Sequence, residues 1–475
     1  MTASKSDWHL AIRPGTDAAL ALAVMHILFR DCHEDRDYLE RYTVGAKELR
    51  ERALNDYPPA KVAGITGLSV AEIEQFAREY ATTKPAMIRV NYGLQRHGGG
   101  GMAVRTITCL PAITGDWRNP AGGALLSTSK EYPFDSAALE RPDLIRPGTR
   151  TINMIHLAEA LNDVNDPPVK ALVVYNSNPA AVAPNLNRVH AGLRREDLFT
   201  VVLEQFQTDT ADFADIVLPA TSQLEHFDVH SSYGHLYVQA NPPSIPPLGE
   251  SKPNTEIFRL LAAEMGMDAD LFSATDEQLV EEAMKPFHLT AKDVSHGPVR
   301  LDRPKDWAPF ANGGFGTPDG KCHLSSALEA AAGRDPLPYY IPPHEDPQTK
   351  PDLAAKYPLQ MITPPTPTFL NSTFGNVDHL RGIAGEPTVE MNTLDAVNRG
   401  IANGSYVNVF NDRGRFRAKV VVGESVKPGV AVGYGVWWPK LTPDKTNVNH
   451  ITSTATTDFG GGGTFYDNLV EIRGA

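Results

Sequence analysis

The hydrophobic positions change period twice along the chain. From 16 to 29 they run almost without interruption, with Thr16 or Asp17 in the N-cap position after Pro14-Gly15, which predicts a buried helix over Thr16–Phe29. Short helical patterns follow at Tyr38–Tyr42 and Ala46–Leu54. Ser69-Val-Ala-Glu72 has the form of a capping box and opens an amphipathic helix over Val70–Tyr80. Ala86–Asn91 reads as a buried strand, His97–Gly101 as a glycine loop and Met102–Thr114 as a buried helix. Residues 115–150 are rich in glycine, proline and serine and predict irregular chain. A strand–helix alternation then sets in: helix Ile152–Leu161, strand Val169–Tyr175, helix Leu186–Leu193, strand Thr200–Leu203, a turn or helix start at Thr208–Phe213, and strand Ala214–Pro219. After the proline-rich stretch 336–356 the period becomes that of short strands, at Leu359–Thr363, Thr388–Asn392, Tyr406–Asn411, Gly414–Val422 and Gly429–Tyr434. Asn403-Gly404 and Asp412-Arg-Gly414 supply the turns.

This pattern predicts an α/β protein, with doubly wound, mostly parallel sheet lobes followed by a C-terminal, mostly-β barrel domain. The expected domains are 1–115, the remainder of a first α/β lobe; 116–335, a dinucleotide-binding lobe; 336–356, a proline-rich linker; and 357–475, the barrel.

Composition narrows the function. The 475 residues carry 57 acidic and 44 basic side chains, a formal charge of −13, which argues against an extended nucleic-acid surface. The apolar run near the start is too short for a membrane span and contains His26. The three cysteines, Cys32, Cys109 and Cys322, cannot frame a disulfide scaffold, a zinc ribbon or a four-cysteine iron–sulfur cluster. Reduced thiols and a polar start predict a cytoplasmic chain.

No nucleophile elbow, P-loop or post-strand G-x-G-x-x-G occurs. Asp458-Phe459-Gly460 has the form of a kinase metal triplet, but its partner catalytic-loop pattern is absent. Glu225-His226, His230 and His235 form a metal-like cluster whose flanking Pro219 and Tyr233-Gly234 favour a hydrogen-bonded loop. More informative are two strand ends. Asn176-Ser177-Asn178-Pro179 ends one predicted strand, and Glu204 to Thr210 ends the next. A strand-end carboxylate suits a ribose hydroxyl pair or a guanine edge. Hydroxyls and backbone N–H groups at a helix start suit a pyrophosphate. Adjacent in one sheet, the two ends predict a nucleotide-like ligand.

The ordered series of motifs resembles the molybdopterin oxidoreductases of the dimethyl-sulfoxide-reductase type, which include formate dehydrogenases, nitrate reductases and biotin sulfoxide reductase. The likeness runs nearly end to end. It is carried by Ile12–Leu20, Ile65–Ser69, Asn91–His97 with its glycine run, Leu110–Gly123, Ala214-Asp-Ile-Val-Leu-Pro-Ala220 followed by Glu225, and Phe315–Lys321. It continues through Met391-Asn392, Asp395-Ala396, Gly400-Ile401, Val448–Thr452 and Phe465-Tyr466.

The resemblance implies a molybdenum or tungsten ion held by two molybdopterin guanine dinucleotides, acting on a small-molecule substrate with a redox partner. Cofactor contacts are carried over to Arg96, where the family often has Gln, to Asn178, Glu204 and Thr208, to Thr363, Thr366, Asn371 and Ser372 in the loop that wraps the cofactor, and to Asn449, Phe465 and Tyr466. Arg105 matches an arginine near the metal in formate dehydrogenases and is the candidate catalytic residue.

None of the three cysteines matches the family's metal-ligand position, and no residue here is expected to bind metal directly. The resemblance therefore implies that the iron–sulfur and metal-ligand region belongs to an N-terminal segment or partner subunit. Two alternatives compete: a non-catalytic remnant that binds cofactor weakly or not at all, and a fold used for metal-assisted hydrolysis through His226 and His230.

Overall fold

The structure is a computed structural model that describes residues 2–131 and 134–475. Its chain forms two compact units. One comprises residues 1–126, 181–187 and 306–475, and the other 127–180 and 188–305.

The first unit begins with a helical core. Helix α1 (Asp17–Arg30) buries ten of its side chains, from Ala18 to Phe29, because it is apolar on nearly every face and other helices surround it. Helix α2 (Val70–Thr82) shows only the stripe Ile73, Ala77, Ala81 to that core. Its predicted capping box forms: Ser69 Oγ accepts from Glu72 N at 3.2 Å, and Glu72 Oε2 accepts from Ser69 N at 2.7 Å. Arg30, in the last turn of α1, ties the two helices through Glu74 at 2.8 Å. Helix α3 (Gly100–Thr114) packs beside α1 and ends on Gly115 at φ +71°, a left-handed position where a Cβ would meet the Asp35 carboxylate.

The predicted strand at 86–91 shortens to Met87–Arg89, paired in parallel with Gly123–Leu125. It is not buried as its composition suggests, since Met87 and Leu125 are exposed at the ends of this two-stranded ribbon. The stretch 336–356 packs closely. Leu337 joins the helical core, Tyr340 N donates to Tyr57 OH, and Pro351–Lys356 is helical.

The second unit is built on a parallel sheet of β1 (Ala171–Tyr175), β2 (Phe199–Glu204) and β3 (Ile216–Pro219), in that order. Val174, Val202 and Ala211 pack on one face. Val173 and Tyr175 point to the other and are exposed, so the mostly apolar run at 169–175 is buried on one side only. An antiparallel sheet of Asp228–His230, Tyr237–Asn241 and Val299–Arg300 follows, with Val238, Ala240, Met284 and Val294 in its core. Residues 228–230, expected as loop, are thus strand. Among the described residues no group of three or more His, Cys, Asp and Glu is arranged to hold a metal.

The first unit ends in a closed barrel of β4 (Leu359–Ile362), β5 (Thr388–Asn392), β6 (Tyr406–Asn411), β7 (Gly414–Gly423), β8 (Val430–Gly433) and β9 (Asn468–Gly474), in spatial order β4-β8-β5-β7-β6-β9. Alternation sends Met361, Val389, Met391, Val407, Val409, Phe416 and Ile472 inward. The β6–β7 hairpin closes on Asp412-Arg413, where the sequence places it. The expected mixed α/β class with parallel sheets and a C-terminal barrel is the architecture found.

Candidate functional site

The candidate residues fall in both units. In the first, four come together. Tyr466 N donates to Arg96 O at 3.0 Å, the Arg96 guanidinium lies 5.5 Å from the Phe465 ring centre, and Thr363 Oγ1 donates to Phe465 O at 3.4 Å. Tyr466 meets the His97 ring edge-on at 5.7 Å, and burial pushes its hydroxyl pKa up.

Beneath this group lies a carboxylate the sequence did not single out. Asp467 is fully buried and accepts from His97 Nδ1 at 2.6 Å, Gly98 N at 2.7 Å and His344 N at 2.8 Å. The glycine run is what allows this: a Cβ on Gly99 would come within 2.6 Å of Ile341, and one on Gly101 within 2.6 Å of Phe459.

The Asp458-Phe459-Gly460 triplet has a structural use. Asp458 accepts from Gly101 N and Met102 N at 2.8 Å each, so it caps α3 from 357 residues further along the chain. Replacing Asp458 with alanine is expected to lower stability by about 1–2 kcal/mol, read as a shift of the urea midpoint at unchanged slope.

The Thr363–Ser372 loop is pinned from outside. Trp438 Nε1 donates to Ser372 O at 2.7 Å, Phe369 packs edge-on against Trp437, and Thr366 Oγ1 sits 3.3 Å from Thr368 Oγ1. Asn371 occupies an exposed turn at φ +49°. Asn449 is buried, and its amide donates to Ala181 O at 3.0 Å and Val182 O at 3.2 Å. Nearby in sequence, Ser453 Oγ is buried without a hydrogen-bond partner.

Arg105 lies on α3, with Nη2 donating to Pro336 O at 2.5 Å and Leu324 O at 3.5 Å. Burial pushes the Cys322 thiol up to about 11 and the Cys109 thiol higher still, so neither is a ready thiolate at neutral pH.

In the second unit, the carboxyl end of the parallel sheet gathers Asn178, Glu204, Thr208 and a set of further polar groups. Asn178 is buried, and its Oδ1 accepts from Thr210 N at 3.0 Å and Thr210 Oγ1 at 2.7 Å. Thr208 Oγ1 in turn accepts from Ala211 N. Burial raises the Glu204 carboxyl pKa, opposed by N–H donors from Gln205 and Phe206. The segment 251–254 extends this edge, pairing Lys252 beside Ala220, and Asn254 donates to Asn176 Oδ1 at 2.9 Å. Ser251 Oγ and Asn254 Oδ1 are buried there without partners. Buried polar atoms normally have partners, so these two are open to a water or a ligand, as are other buried atoms such as Ser453 Oγ, Thr200 Oγ1 and Tyr80 OH.

The parallel sheet of the second unit has a polar carboxyl end, where such sheets bind ligands, and the barrel's closing segment is rich in buried amides. Residues 1–264 match the molybdopterin oxidoreductase family and residues 359–469 the molydopterin dinucleotide binding domain. The chain belongs to the molybdopterin oxidoreductases, and its dinucleotide-binding domain implies a molybdenum or tungsten bis-pterin cofactor. It is 42% identical over 481 residues to the probable oxidoreductase YoaE of Bacillus subtilis, covering 99% of this chain and 68% of that protein. It is 29% identical to dimethyl sulfoxide reductase DmsA of Escherichia coli, covering 99% of this chain and 66% of DmsA. The structure of acetylene hydratase from Pelobacter acetylenicus superposes with a TM-score of 0.81 at 25% identity, over 100% of this chain and 72% of that one. Likeness of this extent does not favour the reading as a non-catalytic remnant. Among the described residues no helix is long and apolar enough to cross a membrane.

Proposed function

We propose that the chain binds the guanine form of the cofactor, two molybdopterin guanine dinucleotides around molybdenum or tungsten, and serves an oxidoreductase that moves an oxygen atom or a hydride to or from a small substrate. The observation that carries this reading is the polar carboxyl end of β1–β3, where Glu204 and the unpartnered Ser251 Oγ and Asn254 Oδ1 lie together with the buried Asn178–Thr210 contact.

When bound, the metal and its dithiolenes supply the two-electron chemistry. The chain's residues bind and orient. Glu204 accepts from the guanine edge or ribose hydroxyls. Asn178 fixes the Thr208–Thr210 loop at the sheet end by accepting from Thr210 N and Thr210 Oγ1. Arg96, stacked on Phe465, presents a cation to phosphate or pterin, and Tyr466 covers it. Thr363, Thr366, Asn371 and Ser372 line the wrapping loop, and Asn449 holds the segment 181–182 against which the cofactor lies. Arg105 holds an anionic substrate or developing charge, with two backbone carbonyls fixing its orientation. Metal ligation and iron–sulfur electron transfer fall to a region or partner subunit beyond these residues. A redox partner completes the cycle. The free thiols support a cytoplasmic setting.

The test is metal analysis of the purified chain together with GMP released by acid hydrolysis. Glu204 adds a pH signature. Its raised pKa means that the accepting carboxylate is populated above that value and lost as pH falls through it. GMP retention is therefore expected to weaken on acidification, and Glu204→Gln to retain less at neutral pH with a flattened pH profile. Retention that is equal in both proteins at every pH would remove Glu204 from the site.

A further inference from the structure

The barrel turns a basic, aromatic ribbon outward. Alternation along β6 and β7 sends Val407, Val409, Phe416 and Ala418 to the core and puts Tyr406, Phe410, Arg415 and Arg417 on the opposite face. The register assembles them. Asn408 is opposite both Arg417 on β7 and Arg473 on β9, Phe410 is opposite Arg415, and Tyr406 is opposite Lys419. Arg417 lies 4.4 Å from the centre of the Tyr406 ring and Arg473 5.4 Å from that of Phe410.

The nearby carboxylates are already engaged. Glu386 is held by Lys419 at 3.1 Å and by the Tyr406 hydroxyl at 2.7 Å, and Glu471 by Arg399 at 2.7 Å. Among the described residues Arg415, Arg417 and Arg473 make no ion pair, in a chain with 57 acidic and 44 basic residues. Neighbouring like charges on one sheet face are unfavourable; Glu386 offsets Arg417 in part, and Arg415 and Arg473 are left to be offset by a counter-charge from outside. Arginine, tyrosine and phenylalanine are also the residue types enriched where proteins meet.

We propose that this face of β6, β7 and β9 docks a carboxylate-rich segment of a partner protein. The patch spans about 14 Å along the strands and about 10 Å across them, which suits a short acidic stretch. A duplex needs a longer basic stripe than three strands of this length supply. A patch of this size makes a short-lived, salt-sensitive complex.

The test uses the full chain and a fluorescein-labelled decaglutamate peptide, read by fluorescence anisotropy. Binding is expected to weaken about tenfold or more between about 25 and 200 mM salt. The triple variant Arg415→Gln, Arg417→Gln, Arg473→Gln is expected to lose binding by about tenfold, and each single change to weaken it by about threefold, so the result does not depend on the triple folding normally. Neutralising Arg146, Lys292 and Lys305, which are exposed elsewhere, is expected to leave binding unchanged. Equal losses in the two triples, no effect of any of the three single changes, or tighter binding of duplex DNA than of the peptide would overturn the proposal.

Discussion

Replacing Asp467 with alanine is expected to cost about 3–5 kcal/mol of stability and to strip the cofactor. The side chain is fully buried and accepts three hydrogen bonds, two of them from backbone N–H groups. Alanine leaves the N–H groups of Gly98 and His344 without partners in a dry setting, and each orphan costs about 1–3 kcal/mol. The loss also reaches the candidate site, because His97 follows Arg96 directly and its ring borders Tyr466. Asp467→Asn keeps the volume and one acceptor, and is expected to lose about half as much. Urea unfolding of the three proteins, with GMP content measured on each, checks both effects. An alanine variant within about 1 kcal/mol of the parent would mean that water replaces the carboxylate.

The second large effect is expected at Asn178. Asn178→Ala removes an acceptor used by both Thr210 N and Thr210 Oγ1. It is expected to cost about 2–4 kcal/mol and to lower GMP retention more than metal-independent measures of folding would predict. Asn178→Ser retains a side-chain acceptor without setting a second carboxylate against Asp209, to which the Asn178 amide now donates at 3.4 Å, and separates the two causes. Retention restored with stability would show that the residue acts by holding the Thr208–Thr210 loop. Retention still lost in a stable protein would show direct contact with the ligand.

What could be read from the sequence was local. The Ser69–Glu72 box, the strands at 388–392 and 406–411 and the hairpin at Asp412-Arg413 are fixed by residues within a few positions of one another, and they form where predicted. Burial was harder. The apolar runs at 86–91 and 169–175 read as fully buried strands, yet Met87, Val173 and Tyr175 are exposed, because composition reports a strand's preference but not which layers cover it. At the site, Arg96, Phe465 and Tyr466 could be named through the resemblance. The groups that hold them could not: Asp467 reaches across 370 positions to His97, and Asp458 across 357 to Gly101. A single acidic residue carries no mark of so distant a partner. Asn449 and Arg105 were legible as residues of note, but not in what they touch, which is backbone carbonyl oxygen in each case.

The cap that Asp458 places on α3 has a consequence during synthesis. A ribosome adding about 5–20 residues per second reaches Asp458 roughly 20–70 s after Gly101. Over that interval the amino-terminal helices have their apolar faces made but not their final supports, while the intervening residues 188–305 emerge and can condense around their own strands. The nascent chain thus spends most of this interval with its helical core unfinished. Chaperone occupancy is expected to concentrate on the helices at 17–114 rather than on the barrel that completes them.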